Sequence, residues 1–199
     1  TTRSYFKAQG REGDWKEISA DPDACYDEEI EINLDELKPL IAKPHSPDNV
    51  VEVREVEGLP IQQVAIGSCT NSSLEDMLKV ADILRRGTVA PGVSLVIAPG
   101  SRQVLLDLAA SGAFTSMIEA GARLVESACG FCVGVGQAPC TDGVSLRTSN
   151  RNFHGRSGTK SAGVYLVSPE TAAASALAGR ITDPRSLGKP PEISLPEFF

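Results

Sequence analysis

Residues 61–87 read IQQVAIGSCTNSSLEDMLKVADILRRG, and the stretch changes character twice. IQQVAIG is short and apolar, as a buried strand must be. GSCTNSS is small and polar, which is turn composition. SSLEDMLKVADILRRG then sets Leu74, Met77, Leu78, Ala81 and Leu84 three or four residues apart, the spacing of one helix face, and Gly87 stops it. A strand that feeds a helix through a short loop opens a βαβ unit.

The pattern repeats along the chain. VSLVIAPG (93–100) is a strand ending in a turn, and SRQVLLDLAASGAFTSMIEAG (101–121) supplies helix broken near Gly112. ARLVES (122–127), VSLRTS (144–149) and GVYLVS (163–168) are further strands. SPETAAASALAG (168–179) is a helix with Ser168 as N-cap, Pro169 at its first position and Gly179 as its stop. Residues 133–143 are too rich in glycine and proline for a crossover helix. Alternation of this kind predicts an α/β layered domain, a three-layer α/β/α arrangement with a mostly parallel sheet. It occupies residues 61–182. Residues 1–60 read as a polar N-terminal extension and connector, and 183–199 as a proline-rich C-terminal linker or arm. Within the extension, YDEEIEINL (26–34) alternates Ile30, Ile32 and Leu34 with acids, which predicts a half-buried strand. His45 falls in a proline-rich connector and is expected to be a surface loop histidine.

The chain has 199 residues, 41% of them hydrophobic, and a net charge of −7. That apolar content supports a folded core. The acidic surface argues against nucleic acid and anionic membrane as partners. No apolar run reaches the roughly 18–20 residues of a membrane span. The five cysteines (Cys25, Cys69, Cys129, Cys132 and Cys140) are odd in number and irregular in spacing, unlike a secreted disulfide framework. A reducing compartment is expected, the cytoplasm or a mitochondrial matrix. The chain starts on Thr, which suits a piece of a longer protein.

Three loops follow predicted strands and carry the unusual residues. GSCTNSS (67–73) holds Cys69, ACGFCVG (128–134) holds Cys129 and Cys132, and SNRNFHGR (149–156) holds Asn150, Arg151 and Arg156. Ligands of open parallel sheets bind at the carboxyl ends of the strands, so three thiols and two guanidinium groups are expected to meet in one crevice. A structural zinc site wants four closed ligands, with Cys140 as the candidate fourth. A dithiol redox pair needs only Cys129 and Cys132, and leaves Cys69 and the arginines unused. A three-thiolate iron–sulfur cubane uses all three cysteines and leaves one iron open for a hydroxyl group. Paired arginines beside a metal suit a small polycarboxylate. Salt bridging on an acidic surface is their bland alternative; His154 between them offers a base or a ligand, and a partly exposed structural histidine is the expected reading.

IGSCTNSSLEDM (66–77), ACGFCVG (128–134) and SNRNFHGRSG (149–158) resemble, in order and spacing, the three signature segments of the aconitase family. SPETAAASALAG and YDEEIEINLDELKPLIA (26–42) resemble the flanking segments, so the likeness runs from about residue 20 to 185. The resemblance implies an aconitase domain 3-like fold and a [4Fe-4S] cluster held by Cys69, Cys129 and Cys132. It implies Asn150 against the cluster, with Arg151 and Arg156 on substrate carboxylates. The implied chemistry is a hydro-lyase reaction, the removal and re-addition of water on a hydroxy di- or tricarboxylate. Phe131 departs from the commoner ACGPC form, at a position between ligands. The family's preceding domains and mobile final domain, which bring further histidine, acid, arginine and the serine base, have no counterpart in these residues. They are expected in cis or on a partner chain, and this part alone is expected to be inactive. LDELKPLIAKPHSPDNV (34–50) looks more aconitase-like than isopropylmalate-isomerase-like. That implies citrate/isocitrate interconversion through cis-aconitate. The alternatives are a homoaconitate or isopropylmalate-type hydratase and a non-catalytic zinc or iron–sulfur module.

Overall fold

A computed structural model describes residues 2–195, which fall into two compact units. The first, from the N-terminus to Lys38, contains helix α1 (Thr2–Ala8) and a short 3-10 turn (Glu12–Asp14), with little else regular. An exposed ion pair, Arg3–Glu12, links them, and Arg11 pairs with Asp14 across the turn itself. The expected strand at 26–34 is not formed. Ile30, Ile32 and Leu34 stay 65–75% exposed. Alternation selects a face, but a strand also needs a paired backbone, and no strand of the described residues pairs with this segment.

The second unit, Pro39–Leu195, is built on one seven-stranded sheet. Its strands are β1 (Leu40–Ala42), β2 (Val50–Glu52), β3 (Gln63–Gly67), β4 (Ser94–Ala98), β5 (Arg123–Leu124), β6 (Val144–Arg147) and β7 (Gly163–Leu166). Their spatial order is β2-β1-β7-β6-β3-β4-β5. The five from β3 to β7 are parallel, and the β1–β2 hairpin adds antiparallel to β7. The sheet unit therefore starts at residue 39, before the expected boundary at 61. The connector around His45 is the turn of this hairpin. Residues 183–189 are no free arm either. Asp183 is buried and binds Arg54 and Arg185, while Arg86 donates to the carbonyls of Leu187 and Lys189.

Helices α2 (Leu74–Leu84), α3 (Arg102–Ala110), α4 (Ala113–Glu119) and α5 (Pro169–Ala178) supply one core with one sheet face: Val64, Ile66, Leu95, Ile97 and Leu146 pack there with Met77, Leu108, Met117 and Ala173. The local signals act as read. Ser73 caps α2 in a capping box with Asp76, α3 and α4 part at Gly112, and Ser168, Pro169 and Gly179 bound α5. The opposite face is covered differently. Ala65, Val96 and Ala98 pack on Phe131 of a 3-10 turn (Phe131–Val133) within the loop from β5 to β6. Among the described residues, no helix is long and apolar enough to cross a membrane.

Candidate functional site

The chain runs from β3 outward to β4 and β5, then returns to place β6 on the other side of β3. Loops leaving β3 and β6 diverge at such a switch point, and the crevice between them is where an open α/β sheet receives a ligand. Cys69 follows β3, and Asn150, Arg151 and Arg156 follow β6. Cys129 and Cys132 follow β5.

The turn after β3 is tightly determined. A Cβ on Gly67 would run into the carbonyl of Ala98, so only glycine fits there. Ser68 has φ +96°, a strained backbone for a residue with a side chain. Thr148, just past β6, closes the turn: its Oγ1 accepts from the Gly67 N–H at 2.8 Å and donates to the Gly67 carbonyl at 2.9 Å. Asn71 Nδ2 donates to the Thr148 carbonyl at 2.6 Å. The loop that presents Cys69 is thereby tied to the strand that leads to the arginines.

The loop with Cys129 and Cys132 is anchored from below. Phe131 points into the sheet and is 2% exposed. Arg147, fully buried, stands opposite Ala65 in the parallel register, where the small side chain leaves it room. Its guanidinium donates to the carbonyls of Phe131 and Gln137 and to Gln63 Oε1, and its Nε to Ser145 Oγ. Burial pulls its pKa down to about 10, against the pull of Cys132. The same loop abuts the arginine loop, because Gly134 (φ +87°) lies against the Ser157 backbone, where a Cβ would collide.

Cys69 and Cys129 line one cavity of about 110 Å³, together with Ser68, Ala98, Pro99, Gly100, Ser127 and Ala128. Cys132 is half-buried. Burial, first, and then the charges of Cys129 and Cys69 push its thiol pKa up, while Arg147 and Arg156 pull it down. So Cys129, Cys69 and Arg156 each lie close enough to act on the Cys132 thiol. Arg151 and Asn150 lie exposed at the start of the same loop. A larger cavity, about 370 Å³, is bounded by Lys79, Arg86, Glu170 and residues 184–191, and none of the cysteines lines it. Cys25 and Cys140 are exposed, and Cys140 does not line the cavity of Cys69 and Cys129.

His45 and His154 are both exposed and meet edge to face, with ring centroids 5.0 Å apart. Three buried polar atoms of the arginine loop, Ser149 Oγ, Asn152 Oδ1 and Ser157 Oγ, have no hydrogen-bond partner. Among the described residues, no three His, Cys, Asp or Glu side chains are gathered around a single-ion position. The donors on these glycine-rich, open loops are thiols, the donor type that a polynuclear iron–sulfur group takes. In that sense the residues fit such a group.

Arg147 and Gln63 escape sequence reading. Ser145 and Arg147 alternate with Val144 and Leu146, and a polar strand face is ordinarily solvated. Here a loop far along the chain buries it. The alternation in VSLR was the available signal, but it does not say what covers the polar side.

The profile of the aconitase family (aconitate hydratase) matches residues 54–179. The 3-isopropylmalate dehydratase large subunit 2 of Archaeoglobus fulgidus is 46% identical over 185 residues, 92% of this chain and 44% of that protein. The homoaconitase large subunit of Thermus thermophilus is 45% identical, over 87% of this chain and 41% of its own length. The 2,3-dimethylmalate dehydratase large subunit of Eubacterium barkeri is 43% identical, over 94% and 44%. The chain thus spans less than half the length of these relatives. With the sheet, the three loops and a matching profile in agreement, the chain belongs to the aconitase family.

Proposed function

We propose that this chain is the cluster-bearing part of a hydro-lyase large subunit that removes and re-adds water on a hydroxy dicarboxylate of the substituted-malate kind. The observation that supports the reading is that Cys69 and Cys129 line one cavity, while Cys129, Cys69 and Arg156 all lie near enough to act on Cys132. Cys69, Cys129 and Cys132 hold a [4Fe-4S] cluster, with Asn150 beside it. When bound, that cluster supplies a Lewis-acidic iron with no protein ligand, suited to a departing hydroxyl. Arg151 and Arg156 grip and orient substrate carboxylates, a task that a guanidinium fork performs with two parallel hydrogen bonds.

The names of the relatives favour this substrate class over citrate, because two of the three quoted above are dehydratases of alkyl-substituted malates. All three are large subunits, which supports a second, smaller chain as partner. The catalytic base and the remaining substrate contacts belong to parts of the enzyme outside these residues.

Anaerobic reconstitution with iron and sulfide tests the reading. About four irons per chain, and an EPR signal of a three-iron form after mild oxidation, are expected. One tightly bound zinc and no cluster would overturn it in favour of a structural module.

A further inference from the structure

Arg147 holds the loop of Cys132 and does not line the cavity of Cys69 and Cys129, and the proposed reaction does not use it. It is fully buried and enters no salt bridge among the described residues. Every acceptor it binds is a neutral oxygen: Phe131 O, Gln137 O at 2.6 Å, Gln63 Oε1 at 2.9 Å and Ser145 Oγ at 3.2 Å. A buried cation without a counter-charge is unfavourable unless an anion belongs nearby. Phe131 is covalently joined to Cys132, so the guanidinium sits one peptide away from a thiol. The two carbonyls it holds bracket the segment 131–137, which carries Cys132 and reaches Gly134 at the arginine loop.

We propose that Arg147 is the positioning residue of Cys132, a buried cation that shapes the 131–137 loop and supplies the counter-charge for thiolate ligands above it. The counter-charge half rests on the iron–sulfur reading given above; the shaping half does not. Two properties are then separable. The fork geometry holds the loop, and the positive charge favours the anionic ligand set and the more reduced cluster. Lysine keeps the charge and loses the fork, whereas methionine loses both.

The test compares the parent chain with Arg147→Lys and Arg147→Met. Hydrogen exchange of the metal-free proteins reads the loop directly. Amides of 131–137 should lose protection in both variants, while those of β3 and β4 keep it. After anaerobic reconstitution, a chelator should strip iron about tenfold faster from both variants, as expected for loss of an outer-shell partner. The midpoint potential, from an EPR-monitored dithionite titration, should fall in the methionine variant and stay near the parent value in the lysine variant. Parent-like exchange at 131–137 in both variants would overturn the shaping role. A parent-like potential in the methionine variant would overturn the counter-charge role. If the methionine variant does not fold, the lysine variant still decides the shaping role, and Gln63→Leu, which removes one neutral acceptor and keeps the charge, should leave the potential unchanged. Failure of the parent to take up iron would overturn the proposed function and the counter-charge half with it, and the exchange experiment would still decide the loop.

Discussion

The backbone of Gly134 lies against that of Ser157, with no room for a side chain between them. This contact joins the loop of Cys129 and Cys132 to the loop of Arg151 and Arg156. Gly134→Ala adds a Cβ at φ +87° and directs it at a carbonyl. We expect a loss of about 1–3 kcal/mol in urea unfolding, from left-handed strain and overpacking together. Iron uptake should fall with it. Unchanged unfolding would mean the loops part at no cost.

Cluster ligation predicts a selective pattern among the cysteines. Cys69→Ser, Cys129→Ser and Cys132→Ser should each cut iron and sulfide per chain sharply. Cys25→Ser and Cys140→Ser should not. Cys69 and Cys129 are exposed, so serine there should change the stability of the metal-free chain by no more than about 0.5 kcal/mol. Equal iron content across all five variants would refute the assignment.

Arg156→Lys retains the charge and loses the bidentate fork. In the assembled enzyme, with its remaining parts present, it should raise KM for the dicarboxylate by about tenfold or more, the loss of one or two charge-assisted hydrogen bonds. Arg156 is exposed, so the melting temperature should stay close to the parent's. A matched fall in melting temperature would make the residue structural instead.

Asp183 gives the fold an acid-sensitive clamp. The Arg185 side chain, first of all, holds its carboxyl well below the usual carboxylate range. The Arg185 N–H and Arg54 add to this, and burial opposes them. A depressed folded pKa means the unfolded chain takes up the proton first as pH falls. The stabilisation is complete above the unfolded value of about 3.9 and is lost as pH drops through the lower folded value. Asp183→Asn should therefore cost about 2 kcal/mol at pH 7. Its deficit relative to the parent should shrink between pH 5 and pH 2 in urea titrations. A constant deficit would exclude the linkage.

Periodicity and capping made the parallel part of the sheet and its helices legible, because those signals are local. Ser73, Gly112, Ser168 and Gly179 act on their own turns, and the apolar faces they bound are buried as the spacing requires. The segment at 26–34 shows where such reading fails. Its alternation is as regular as that of β6, yet Ile30 is 75% exposed. A strand is completed by a partner that its own residues do not specify. Likewise β1 and β2 hid in a proline-rich connector, since their place depends on pairing with β7.

The sequence alone determined which candidate side chains the loops after the strands offer: three thiols, two guanidinium groups and an amide. These are properties of residue type and order. Tertiary structure decided what shapes them. Arg147 reads as the polar side of an ordinary strand until the loop at Phe131 and Gln137 closes over it. The role depends on burial, and burial comes from residues distant in the chain, which a local pattern cannot encode.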